Sequence, residues 1–270
     1  MKSFVYHRPS ELSEAVALLA ARPEARPLAG GMTLIPTLKQ RLASPPALVD
    51  LSNITELRGI RVGDGFVTIG AMTRHAEVAR SVEIRRLIPA LADLADTIGD
   101  PQVRNRGTLG GSIANNDPAA DYPAAVLGLE GIVTTNSRTI PADSFFCGMF
   151  ETALKDGEIV TEVTFPVPSA AGYQKLPSPA SRYALVGVFV ARTTTGIRVA
   201  VTGAAPCVFR ATVMEQALSK QFAPDSLGDI RMAATGLKSD IHGDAEYRAH
   251  LISVLAKRAV KKGLGGGESC

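Results

Sequence analysis

Cysteine is scarce and scattered. Only Cys147, Cys207 and Cys270 occur in 270 residues, and no two lie at the spacing of a zinc or iron–sulfur ligand pair. Their odd number also argues against a disulfide framework. The four histidines, His7, His75, His242 and His250, are equally dispersed, so no metal site is expected. A dominant charge is missing too. A net charge of +3 with 20% charged residues gives no nucleic-acid or membrane-surface signature. Met1 to His7 hold no apolar run long enough for a signal peptide or a membrane span, so a cytoplasmic protein is expected. The chain shows no nucleophile–base constellation, no H-E-x-x-H and no recognisable acid–base pair of carboxylates. Redox chemistry would have to come from a bound cofactor. There is no internal repeat.

What the chain does have is paired glycine. The stretch Asp100-Pro101-Gln102-Val103-Arg104-Asn105-Arg106-Gly107-Thr108-Leu109-Gly110-Gly111-Ser112-Ile113-Ala114-Asn115-Asn116-Asp117-Pro118-Ala119-Ala120-Asp121-Tyr122-Pro123 repeats at neither helical nor strand period. It reads as one long ordered loop. Its glycines allow a ligand close to the main chain, and successive bare amides would make a concave anion site. Thr108 and Ser112 flank it with hydroxyls, and Asn115, Asp117 and Asp121 could read sugar hydroxyls or a ring edge. Upstream, Pro27-Leu28-Ala29-Gly30-Gly31-Met32-Thr33-Leu34-Ile35-Pro36 runs through a second diglycine into an expected helix. Thr33 suits its N-cap and Pro36 its first turn. This is neither the G-x-G-x-x-G fingerprint nor a phosphate loop, since no Gly-Lys-Ser/Thr follows. Two separated diglycine loops suggest a diphosphate gripped from both sides.

Taken together, Ala29-Gly30-Gly31-Met32-Thr33 and Thr108-Leu109-Gly110-Gly111-Ser112, with Asp100 to Arg106 ahead of the second, resemble the FAD-binding (medium) subunits of molybdenum hydroxylases, the carbon monoxide dehydrogenase and xanthine dehydrogenase family. The likeness covers essentially the whole chain. It implies an α+β fold: a two-subdomain FAD-binding domain of the vanillyl-alcohol-oxidase/PCMH type, then a small C-terminal domain of a three-stranded sheet with helices. It also implies FAD as cofactor. Leu28, Ala29, Gly30, Gly31, Met32, Thr33, Leu34 and Ile35 would wrap the diphosphate, and Thr108, Gly110, Gly111 and Ser112 would complete the grip. Asn115 and Asp121 match positions that bond ribityl, sugar or phosphate groups. Ile159 and Val160 fall beside the rings, Tyr183 would face the isoalloxazine, and Lys175 would place a positive charge near it. Against this, a tyrosine at a strand start is usually core and a lone lysine usually solvated. One departure stands out: Met32 occupies a position that is polar in many relatives, while Thr33 keeps the hydroxyl.

The rest of the chain supplies the frame. A strand at residues 3–7, a helix with Leu12, Ala15, Val16 and Leu19 on one face, a helix through Leu34, Leu38 and Leu42, and a strand at 47–51 make a first subdomain of 1–55. Strands at 59–62 and 66–69 around Gly63-Asp64-Gly65 form a hairpin that opens the second, 56–170. Within it a helix capped by Thr73 runs through Val78. A second helix carries Leu87, Leu91, Leu94, Ala95 and Ile98, and a third spans 124–129. Strands at 131–135, 138–140 and 158–166 follow. The Pro-Ala-Gly-rich 166–172 reads as the boundary to a C-terminal domain of 171–264. That domain has strands at 183–191 and 197–202 and helices at 213–218, 230–235 and 245–262. Residues 265–270 read as a disordered tail.

In the resembled family, electrons start on a molybdopterin-binding large subunit and cross a [2Fe-2S] small subunit. They then reach the flavin subunit, which hands them to an external acceptor, in a dimer of heterotrimers. A free-standing FAD-dependent oxidoreductase and a non-enzymatic nucleotide-binding regulatory module are the alternatives.

Overall fold

In a computed structural model, which describes residues 1–265, the chain builds three main sheets in succession, with a small two-stranded one, Phe146–Gly148 against Glu151–Thr152, formed before the last strand of the second. The first is parallel, with Ala47–Asp50 between Val5–His7 and Arg26–Leu28. Parallel neighbours need crossovers, and the helices Leu12–Ala20 and Leu34–Lys39 supply them. The central strand is buried at every position, as a covered parallel strand should be.

The second sheet is antiparallel, in the order Ile60–Val62, Phe66–Gly70, Val160–Pro166, Ile132–Thr135, Thr139–Pro141. Its central strand therefore arrives last, after the helices of this unit have been laid down. The third sheet holds Ala170–Pro177, Ala184–Arg192, Ile197–Thr202 and Phe209–Arg210. Alternation along Ala184–Arg192 feeds two cores. Phe189 and Ala191 pack into the core of the second unit. Val186, Val188 and Val190 pack under the helices Thr212–Lys220 and Ala245–Gly263. A strand buried on both faces reads as one apolar run, and this one does.

Several local expectations are corrected. The C-terminal sheet has four strands rather than three, the fourth being the two-residue Phe209–Arg210. Its first strand starts at Ala170, inside the stretch read as a linker. Residues 230–235 are not helical. Ile230 and Met232 pack on the core at a spacing of two, the period of extended chain. The helix expected across Leu87 to Ile98 is two, Val82–Leu87 and Pro89–Asp96, because a residue before proline is pushed out of the helical region. Thr73 caps nothing; its hydroxyl accepts from Gly59 N and donates to Gly59 O. The sequence pattern puts Tyr247, Leu251, Val254 and Leu255 on the inner face of the last helix; Leu251 and Leu255 are buried and Val254 half-buried, but Tyr247 is 44% exposed. The expected disordered tail lies, apart from Gly265, outside the described residues.

The largest difference concerns the long loop. Residues 100–123 contain the helices Pro101–Arg104 and Leu109–Asn115 and begin a third, Tyr122–Gly128. Helices of four and seven residues are too short to show a 3.6-residue period. The second of them carries a diglycine for a steric reason: a Cβ on Gly110 would lie 2.5 Å from the Ala71 Cβ.

Candidate functional site

The two diglycine motifs meet side by side. A Cβ on Gly30 would stand 2.2 Å from the Arg106 carbonyl oxygen and 2.7 Å from Gly107 Cα, and one on Gly111 would stand 3.2 Å from the Ala29 methyl. Only glycine permits this approach. Gly31 also needs its freedom, since it sits at φ +72°.

The motifs do different work. In the first, Gly31 and Thr33 carbonyls accept from Ile35 and Thr37, but the amides of residues 30–34 donate to no protein group. Such a run of unpaired N–H groups on a part-exposed loop is the donor arrangement from which anion-binding concavities are made. Thr33, expected as the N-cap of the following helix, accepts no capping hydrogen bond, which leaves its hydroxyl for other partners.

In the second motif the amides from Leu109 to Ser112 are already used. Gly107 N donates to Val103 O (2.7 Å), Leu109 N to Thr73 O (3.1 Å) and Gly110 N to Ala71 O (2.8 Å). Thr108 caps its helix by accepting from Gly111 N at 3.1 Å. The amides of Gly110 and Gly111 are therefore not donors to a ligand. They buttress the first loop, while the Ser112 hydroxyl and the Asn115 amide, both part-exposed and bonded to no protein group, remain available.

The C-terminal domain closes the third side. Gly203 N donates to Pro118 O (2.8 Å), Ala184 N to Ala119 O (3.2 Å) and the Thr202 hydroxyl to Ala120 O (2.6 Å). These bonds seat the segment after the second motif against the strand ends that carry Tyr183. The Tyr183 phenol lies beside Thr33. Burial and the Asp117 carboxylate raise its pKa, and the Thr33 hydroxyl works the other way. Tyr183 is 40% exposed and Met32 38%, so both sit at an open face rather than in the core.

Four predicted site residues stand elsewhere. Asp121 and Lys175 hold each other at 2.8 Å, with side chains 3% and 5% exposed, and the Tyr173 hydroxyl donates to the same carboxylate at 2.6 Å. Burial raises the Asp121 carboxyl while Lys175 opposes it. Ile159 is buried in the core of the first subdomain and Val160 in that of the second. The Ile159 main chain is bonded at both ends to Asn136, its N–H donating to Oδ1 at 2.8 Å.

Other residues at the site escaped sequence reasoning. Asn116 ends the second-motif helix at φ +43° and is 1% exposed. Its side-chain amide donates to Gly148 O and Glu151 O, both at 2.8 Å. The Asn-Asn-Asp-Pro run was its signal, since asparagine tolerates the left-handed region. His75 lies behind Gly107, whose Cβ would meet Nε2 at 2.4 Å. Burial, helped by Arg104, lowers its pKa to about 4. No signal marked it.

Two cavities, of about 700 Å³ near Glu11 and Asn136 and about 390 Å³ near Thr97 and Arg182, lie outside both diglycine loops. Among the described residues no group of three or more His, Cys, Asp or Glu could hold a metal, and no helix is long and apolar enough to cross a membrane.

The chain is similar to known proteins over nearly its whole length. Residues 2–168 match the family model of the FAD binding domain in molybdopterin dehydrogenase, and residues 171–262 that of the CO dehydrogenase flavoprotein C-terminal domain. The carbon monoxide dehydrogenase medium chain of Hydrogenophaga pseudoflava is 36% identical, covering 95% of this chain and 96% of that protein. The xanthine dehydrogenase FAD-binding subunit of Escherichia coli O157:H7 is 29% identical over 95% and 94%. Among solved structures, the reconstituted CO dehydrogenase from Oligotropha carboxidovorans matches with a TM-score of 0.92 and 34% identity. That match covers 98% of this chain and 99% of that one.

Proposed function

We propose that this chain, which belongs to the family of FAD-binding domains in molybdopterin dehydrogenases, is the subunit through which electrons leave a heterotrimeric molybdenum hydroxylase. FAD is its cofactor, and it is an oxidoreductase subunit. Its partners in this reading are a molybdopterin-binding large subunit and a [2Fe-2S] small subunit, assembled as a dimer of heterotrimers, with an external molecule as final acceptor. Full-length likeness to proteins named as medium chains and FAD-binding subunits favours this over a free-standing flavoenzyme or a regulatory nucleotide-binding module.

The observation that carries the reading is the row of unpaired amides at residues 30–34, pressed against the second diglycine motif. The donor set fits a dinucleotide diphosphate: five N–H groups in sequence with no protein acceptor. Ser112 and Asn115 flank the loop as the polar groups for ribityl or phosphate oxygens. Tyr183 covers the ring side, and the Met32 side chain, which has no donor, bounds it. Leu28 and Ile35 support the loop from behind, lying 3.3 and 2.9 Å from where a Gly31 Cβ would stand. Asp121, Lys175, Ile159 and Val160 act one layer back, by fixing the elements that carry these groups. When bound, FAD takes up electrons singly and passes on pairs; the protein sets its position and field.

The test is a visible spectrum of the purified chain with added FAD, followed by reconstitution with the partner subunits. Flavin bands on the chain, and substrate oxidation that reaches the acceptor only when all three subunits are present, are the expected results. Turnover of an organic substrate by the chain and FAD alone would overturn the relay role.

A further inference from the structure

The turn that carries Tyr183 is strained, and a buried lysine holds it. Arg182 lies at φ +60°, in the left-handed region that favours glycine. Arg182 N donates to Ser178 O and Ser178 N to Tyr183 O, each at 2.8 Å, closing residues 178–183 into a tight loop. A further restraint comes from outside it. Lys175 Nζ donates to Arg182 O and Thr97 O, both at 3.0 Å, and pairs with Asp121 Oδ1 at 2.8 Å.

Three acceptors use all three protons of an ammonium. Lys175 thus has none left for a ligand, and its charge is matched at contact distance by a carboxylate. What it does is mechanical. Its partners belong to three elements: Thr97 ends the helix Pro89–Asp96, Asp121 precedes the helix Tyr122–Gly128, and Arg182 is the strained turn itself.

We propose that Lys175 is a positioning residue that acts through the Arg182 carbonyl: it fixes the left-handed turn and so sets the Tyr183 ring beside Thr33. The proposal rests on the reading above that Tyr183 covers the flavin. It differs from a direct role for the lysine charge, because the effect passes through backbone geometry and depends on Tyr183.

Hydrogen exchange on the full chain, without cofactor, tests the mechanical half. Lys175→Met should speed exchange at the Arg182 and Tyr183 amides at least tenfold and leave the strand Ile197–Thr202 unchanged. Lys175→Arg keeps the charge and the fold, but its planar fork cannot reach Thr97 O, Arg182 O and Asp121 together. It should also speed exchange, at least threefold, and it decides the matter if Lys175→Met does not fold. Adding Arg182→Gly to Lys175→Met should restore protection to within threefold of Arg182→Gly alone, since glycine takes the left-handed turn without strain.

Flavin fluorescence on added FAD tests the other half. Tyr183→Ala should relieve quenching, Lys175→Met should match it, and the double variant should show no more. Wild-type exchange rates in both lysine variants, or additive fluorescence effects in the double variant, would overturn the proposal. A wild-type chain that binds no FAD in the complete complex would instead sink the functional reading and leave the exchange result standing.

Discussion

Replacing Gly30 by alanine should pry the two motifs apart. The new methyl would lie 2.2 Å from the Arg106 oxygen and 2.7 Å from Gly107 Cα, whereas a relaxed carbon–oxygen contact needs about 3.3 Å. Both obstacles are backbone, and Gly107 is pinned from both sides: its N–H donates to Val103 O and its carbonyl accepts from His75 N. The first loop must therefore yield, by about 1 Å. Overpacking of this kind costs about 1–3 kcal/mol. Moving two amides out of reach of a diphosphate removes charge-assisted bonds worth about 1.5–3 kcal/mol each. The expected loss is roughly 3–6 kcal/mol of binding, or about 10²- to 10⁴-fold in the FAD dissociation constant. Gly31→Ala is the comparison. Its methyl meets only flexible side chains, Ile35 at 2.9 Å and Leu28 at 3.3 Å, but at φ +72°, so about tenfold weaker binding is expected from the left-handed strain. Fluorescence titration of FAD against each variant, with a thermal melt to separate folding from binding, decides it. FAD binding by Gly30→Ala within threefold of wild type, in a chain that melts normally, would refute the diphosphate assignment.

Other consequences follow from buried polar groups. His75 is held neutral with a pKa near 4 against 6.5 unfolded, so the unfolded chain binds more protons between those values. Stability is then full above pH 6.5 and falls as pH drops toward 4, by about 2 kcal/mol at pH 5. Denaturant melts should show this slope, and His75→Leu should flatten it; an unchanged slope in the variant would assign the effect to other groups. Asn116→Ala loses the two-carbonyl fork and puts alanine at φ +43°, for an expected cost of about 2–4 kcal/mol. Asn116→Gly relieves the strain and should recover about 1 kcal/mol of it in urea melts; equal costs for the two would show that strain contributes nothing. Glu158 accepts from Thr135, Ser137, Arg138 and Lys155 N. Arg138 chiefly holds its pKa down, to about 2 from 4.5. Its stabilisation is present above pH 4.5 and lost as pH falls through 2, and Glu158→Gln should melt lower than wild type at pH 7 but indistinguishably below pH 2.

The fold was legible wherever a segment was long enough to show its period. The helices at Leu12–Ala20 and Ala245–Gly263, the hairpin at residues 60–70 and the double-faced strand Ala184–Arg192 all have strong local patterns. Most of the misreadings come from tertiary contact acting on short segments; the helix split at Pro89 is local, since the proline displaces Ile88 from the helical region. Leu109–Asn115 carries two glycines within a helix because Ala71 and Ala29 pack against them, at 2.5 and 3.2 Å from where their Cβ atoms would stand. Residues 230–235 are not helical, and Ile230 and Met232 pack against a core instead.

The site divides along the same line. Both motifs offer a diglycine beside a threonine, and sequence assigned them one role. The difference between them lies in what each folds against. The strand turns at Ala71 and Thr73 take up the amides of the second motif, and nothing takes up those of the first. A glycine pair therefore announces close backbone approach, and only the partner shows whether a ligand or another segment makes it. The same holds for Lys175, a charge that sequence placed near the ring. With Thr97, Asp121 and Arg182 converging from three elements, it becomes a brace. A cofactor site built at a junction of three units needs such braces, because no single unit contains the whole donor set. Loosening one should weaken the cofactor grip without touching a group that contacts it.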